Sequence, residues 1–221
     1  MSRSRFALPA FGVMSAVHLV GEGIGSHALQ WITKPLLMPA LAVYSILSGK
    51  KRSKRLLVAL GLATAGDVAM EVGALIPGML LFLGAYGTYA RAFVRRGALE
   101  RLRRWPGIAV ALGYAAYAAA MLSWLWPGLS ARGLAWPMAV YAAVLATMAA
   151  TAATQGPRVA IGAALLVCSD TLIGMRIAGV PPLPGPPVWV MATYLLGQAL
   201  IVTGWPEEAK TSTADYAKVA A

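Results

Sequence analysis

Residues 50–73 read KKRSKRLLVALGLATAGDVAMEVG: five basic residues in the first six, then an apolar run carrying Asp67 and Glu71 toward its far end. A bilayer core about 30 Å thick is crossed by about 20 helical residues rising 1.5 Å each. The run from 55 to 73 therefore reads as a membrane helix entered from a positively charged face. Its two carboxylates, four residues apart, project from one side at membrane depth.

The same ruler, carried outward, gives eight stretches: 6–25, 29–49, 55–73, 75–95, 105–127, 134–153, 157–178 and 187–205. Their short connections favour an up-and-down arrangement in which sequence neighbours pack antiparallel. The expected fold is thus all-α, a polytopic membrane bundle of eight transmembrane helices over 1–205, followed by a polar, disordered tail at 206–221. Composition agrees, since 59% of the 221 residues are hydrophobic and only 12% charged, a balance poorly suited to a soluble domain.

Basic residues test the helix count. Arg3 and Arg5, then Lys50, Lys51, Arg52, Lys54 and Arg55, then Arg95, Arg96, Arg101, Arg103 and Arg104, then Arg158, Lys210 and Lys218 all fall on one side of the expected bundle. Arg132 stands in a loop on the other. By the positive-inside rule both termini are cytoplasmic and the location is the cell membrane, multi-pass. The net charge of +11 is then a matter of topology, and no nucleic-acid partner is expected. Arg3 and Arg5 before an apolar stretch have the outline of a signal peptide, but His18 and Glu22 interrupt it, so this segment is read as the first membrane helix. PPLPGPP at 181–187 reads as a stiff outer loop, and the lone Cys168 as a small core residue.

Ionisable groups at membrane depth are functional candidates because lipid makes them costly to keep. They are His18, Glu22, Lys34, Asp67, Glu71, Arg91, Asp170 and Arg176; Arg91, one turn from the edge, can snorkel to the interface. Counting at 1.5 Å per residue puts His18, Asp67 and Asp170 roughly 16 to 18 Å from the cytoplasmic face. Tyr86 and Gln198 join that layer, while Glu22, Lys34, Glu71 and Arg176 lie nearer the outer face. A weak echo links the Asp67 and Asp170 segments, four helices apart, in the manner of a four-plus-four duplication.

Several chemistries are excluded. His18 and His27 are the only histidines, too few for a three-histidine zinc; GxSxG and phosphate-cradling glycine loops are missing. No metal and no cofactor is expected. Burial and a neighbouring like charge each favour the neutral form of a carboxyl group, so two buried aspartates suit acid-base cleavage of an acid-labile bond, as in glycosidases. They equally suit proton coupling in a transporter of a small amphiphile, packing in a non-catalytic scaffold, or protonation of an alkene in a terpene cyclase.

Five stretches carry a resemblance: Lys34-Pro35-Leu36-Leu37, Gly66-Asp67, Phe82-xxx-Tyr86-xx-Tyr89, Gly162-Ala163-x-Leu165-xxx-Ser169-Asp170, and Tyr194-xx-Gly197-Gln198-xx-Ile201. In this order the chain resembles the YhhN family of membrane lysoplasmalogenases. The resemblance implies a hydrolase that cleaves the vinyl ether bond of a lysophospholipid, releasing a fatty aldehyde and a glycerophospho-base. It implies catalysis by Asp67 and Asp170, phosphate binding by Lys34 and Arg176, and positioning of glycerol or water by Tyr86, Tyr89 and Gln198, with His18 and Glu71 completing the site. The family often has a histidine where Tyr86 stands, so any proton transfer there would fall to the tyrosine, His18 or water. Expected partners are the lysophospholipid and the bilayer; oligomeric state is not readable from the sequence.

Overall fold

The computed structural model describes residues 4–48, 53–181 and 185–205, and all regular structure among them is helical. The expectations for the tail at 206–221, the basic cluster at 50–52 and the centre of the proline-rich loop lie outside these residues. The helices are α1 (Ser4–Gly23), α2 (His27–Leu47), α3 (Lys54–Glu71), α4 (Leu75–Val94), α5 (Ala98–Leu102), α6 (Gly107–Ser130), α7 (Ala135–Ala153), α8 (Pro157–Ala178) and α9 (Pro186–Thr203). All but α5 lie on the stretches read as spans. The five-residue α5 was not expected; it follows Gly97, whose φ of +80° only glycine adopts freely.

Helix α6 runs past Pro127, where the sequence reading ended its span. Tertiary contact carries it on. Leu129 is fully buried, and a Cβ on Gly128 would lie 2.0 Å from the carbonyl oxygen of Ala178, so the last turn of α6 is pressed against the end of α8.

Four helices are long and apolar enough to cross a membrane by length and composition: the stretches Phe6–Gly23, Gly107–Ser130, Ala135–Ala153 and Pro157–Ala178. Of the other long helices, α2, α3 and α9 turn polar side chains such as Gln30, Asp67 and Gln198 inward, which lowers their apolarity without exposing those groups. The outer faces are greasy. Helix α6 buries only Leu125 and Leu129 while Ile108, Leu112 and Trp124 stand exposed, and exposed Trp31, Trp105, Trp136 and Trp189 lie near helix ends. Apolar faces bounded by indoles suit a bilayer rather than water.

Consecutive long helices pack side by side except α4 and α6, so the expectation that all sequence neighbours pack together fails there: α7 takes the place beside α4. In space α1, α2, α3, α4, α7, α8 and α9 form a ring that α9 closes against α1 and α2, and α6 packs outside it on α7 and α8. The tightest crossing joins α8 to α9: a Cβ on Gly162 would lie 2.7 Å from the carbonyl oxygen of Gly197, and one on Gly197 2.8 Å from that of Gly162. Small residues let membrane helices approach this closely. Gly162→Ala is therefore expected to lower stability by about 2 kcal/mol, read by tryptophan fluorescence during thermal unfolding in detergent. Gly61→Ala, at a position with open space around it, should be neutral or stabilising. Equal effects from the two would refute this reading of the crossing.

Candidate functional site

Inside the ring is a cavity of about 570 Å³. Its walls include Glu22 of α1, Gln30 and Lys34 of α2, Asp67 and Glu71 of α3, Phe82 of α4, Asp170 and Arg176 of α8, and Tyr194 of α9. Helices α3 and α8 are not packing neighbours, so the two aspartates face a shared space rather than a helix interface. Gly25 and His27, between α1 and α2, and Pro187, at the start of α9, also line it, so the cavity reaches the end of the bundle opposite the arginine-rich loops.

Neither aspartate makes a salt bridge among the described residues. The Tyr194 hydroxyl donates to Asp67 Oδ2 at 2.9 Å, and the Tyr141 hydroxyl donates to Asp170 Oδ2 at 3.0 Å. Both phenols are buried, where a hydroxyl needs a partner. Tyr86 lies beside Asp170 and Tyr141, yet its buried hydroxyl falls short of hydrogen-bond geometry with either. Ser169, preceding Asp170, donates to the backbone carbonyl of Val190 at 3.0 Å and fixes this turn of α8 to α9.

The outer half of the cavity holds mixed charge. Lys34 Nζ meets Glu71 Oε2 at 2.8 Å with both side chains 13% exposed; its ion pair is thus with Glu71, not with an aspartate. Glu22 accepts from Gln30 at 3.1 Å and lies 3.5 Å from His18 Nε2. Arg176 lines the same space without a salt bridge among the described residues.

Asp67, Asp170, Lys34, Glu71 and Arg176 are thus brought together around one cavity. The other expected residues stand behind its wall. His18, fully buried, shares a 2.7 Å hydrogen bond with Thr33. Tyr89 donates to Gln198 at 2.8 Å, both buried. Tyr86 stacks on Phe82 and meets Tyr141 edge-on at 6.0 Å, while Phe82 meets Tyr194 edge-on at 5.9 Å. These four rings form one aromatic cluster, of which Phe82 and Tyr194 line the cavity.

Tyr141 and Tyr194 as carboxylate donors, and Gln30 as a wall group, were not among the expected site residues, whereas Glu22 was already a candidate as an ionisable group at membrane depth. A phenol in an otherwise apolar span such as α7 is a usable signal, because its hydroxyl must find a partner in the core. Which partner depends on packing.

The YhhN family model matches residues 29–205, and the chain belongs to that family. With four helices apolar enough to span, it is a multi-pass membrane protein. No curated protein and no solved structure matches it.

The Lys34–Glu71 pair generates a stability prediction. Lys34→Met leaves Glu71 largely buried and unpaired, which should cost about 3 kcal/mol, whereas Lys34→Met with Glu71→Met should recover most of that. Denaturant unfolding in detergent measures both, and a double variant no more stable than the single one would contradict the pairing.

Proposed function

We propose that this member of the YhhN family hydrolyses the vinyl ether bond of a lysoplasmalogen-type lysophospholipid, with Asp67 and Asp170 as its acid-base pair. The observation that carries the reading is that both carboxylates line one cavity, on opposite helices, each held by a phenol and neither neutralised by a cation.

A vinyl ether R–CH=CH–O–R′ is cleaved by protonation at the chain-side carbon, which leaves an oxocarbenium ion. Water adds to the carbon bearing oxygen and loses a proton, and the hemiacetal collapses to R–CH2–CHO and HO–R′. One carboxyl group must therefore donate to carbon, while a carboxylate stabilises the cation and takes the proton of water. Asp170 is assigned as the donor, because it alone borders both the polar cavity and an apolar slot between α6, α7 and α8. Asp67, next to the charged part of the cavity, is assigned as the base.

The head group fits the remaining wall. Arg176 has no ion pair among the described residues and takes the phosphate, with Lys34 behind it; Glu22 and Glu71 suit an amine or choline base. All eight long helices are assigned as membrane-crossing, with both ends on the side of Lys54, Arg55, Arg95, Arg101, Arg103, Arg104 and Arg158. The substrate then enters from the opposite face or sideways from that leaflet.

Asp67→Asn and Asp170→Asn should each reduce aldehyde release at least a thousandfold while the protein still folds into membranes; full activity in either would remove that residue from the mechanism. In heavy water the aldehyde from wild-type protein should carry one deuterium at carbon 2, and in 18O water the label should enter the aldehyde, not the glycerol, both read by mass spectrometry. Arg176→Gln should raise KM for the phospholipid about tenfold with kcat little changed; an unchanged KM would take the phosphate away from Arg176.

A further inference from the structure

The apolar slot that touches Asp170 has no role in the head-group chemistry. It lies between α6, α7 and α8 and is lined by Met121 and Leu125, Met138 and Leu145, and Val167 and Gly174, among others. It is narrow, about 60 Å³. Gly174 stands where Leu125 and Met138 converge: a Cβ there would lie in ordinary contact, 3.5 Å from each, and a larger side chain would fill the slot. The methionines give a lining that adapts to a flexible guest.

The slot does not end blindly. Val167, Tyr114 and Tyr117 also line a shallower groove of about 590 Å³ on the α6–α8 face, which reaches Val110, Ala164 and Cys168. Most of α6 faces outward, with only Leu125 and Leu129 buried. A path of apolar surface therefore runs from the lipid-facing side of α6 to the carboxyl group of Asp170, on whose other side the polar cavity begins.

This arrangement matches one chemical class, a single long hydrocarbon chain joined to a charged head. In such a molecule the bond between chain and head falls where the solvent-like and oil-like surroundings meet, and Asp170 stands there. Resting on the hydrolase reading, we infer that the α6–α7–α8 slot and its outer groove bind the alkyl chain of the substrate, admitted sideways from the bilayer, and set which bond reaches Asp170. A diacyl lipid brings two chains to this one slot and is excluded.

The test uses full-length protein in nanodiscs and a 1-O-alkyl glycerophosphocholine with a diazirine in mid-chain, whose saturated ether offers no bond to cleave. After illumination, peptide mass spectrometry should place the label within 114–129, 138–146 and 167–174, and an excess of the same lysolipid without diazirine should remove it. Glycerophosphocholine, which has no chain, should not compete. Label on α1, α2 or α9, or label that excess lysolipid leaves unchanged, overturns the proposal. Gly174→Phe should cut labelling of the slot about tenfold and lower turnover of long-chain relative to short-chain vinyl ethers by a similar factor. Asp67→Asn should label like wild type. Competed label in the slot with no aldehyde from any vinyl ether refutes the reaction and leaves the chain site standing; aldehyde release with label elsewhere refutes the chain site alone.

Discussion

Carboxylates cannot be left unsatisfied inside an apolar bundle, and most of this architecture follows from how Asp67 and Asp170 meet that constraint. The usual device, a cation in contact, is withheld among the described residues: Lys34, nearer the outer face, is taken by Glu71. Phenols serve instead. A tyrosine hydroxyl satisfies one oxygen of a carboxyl group without fixing its charge, so the group can still give or accept a proton. A salt bridge at either aspartate would stabilise the ionised form and work against an acid.

Supplying phenols at both places dictates how the helices are arranged. Asp67 is on the third long helix and accepts from Tyr194 on the last; Asp170 is on the seventh long helix and accepts from Tyr141 on the sixth. The first bond ties the two halves of the chain together across the ring, and the second joins neighbouring helices of one half. The Gly162–Gly197 crossing and the Ser169–Val190 hydrogen bond lock α8 onto α9, keeping Asp170 and Tyr194 in fixed register.

Charge increases toward the mouth of the cavity, where water relieves part of its cost. Glu22, Glu71 and Arg176 stand near helix ends, and the aspartates lie about one to two turns further along their helices, beside the rings of Phe82 and Tyr194. The polar wall is continuous on one side of Asp170 and the apolar slot on the other, so the site repeats within the protein the boundary that an amphiphile meets at a membrane surface.

The sequence by itself determined the helices, because apolar length and flanking charge are local properties set by the thickness and solvent character of a bilayer. It also gave the family, through motif residues such as Lys34, Gly66, Gly162, Ser169 and Gly197. Partnerships were another matter. That Lys34 pairs with Glu71, that Tyr89 and Gln198 satisfy each other away from the cavity, that Tyr141 and Tyr194 hold the carboxylates, and that α6 leaves an apolar slot beside Asp170 were decided only by tertiary structure. The rotation of each helix about its axis and its choice of neighbours depend on close packing between segments far apart in the chain, and periodicity within one segment carries no record of them.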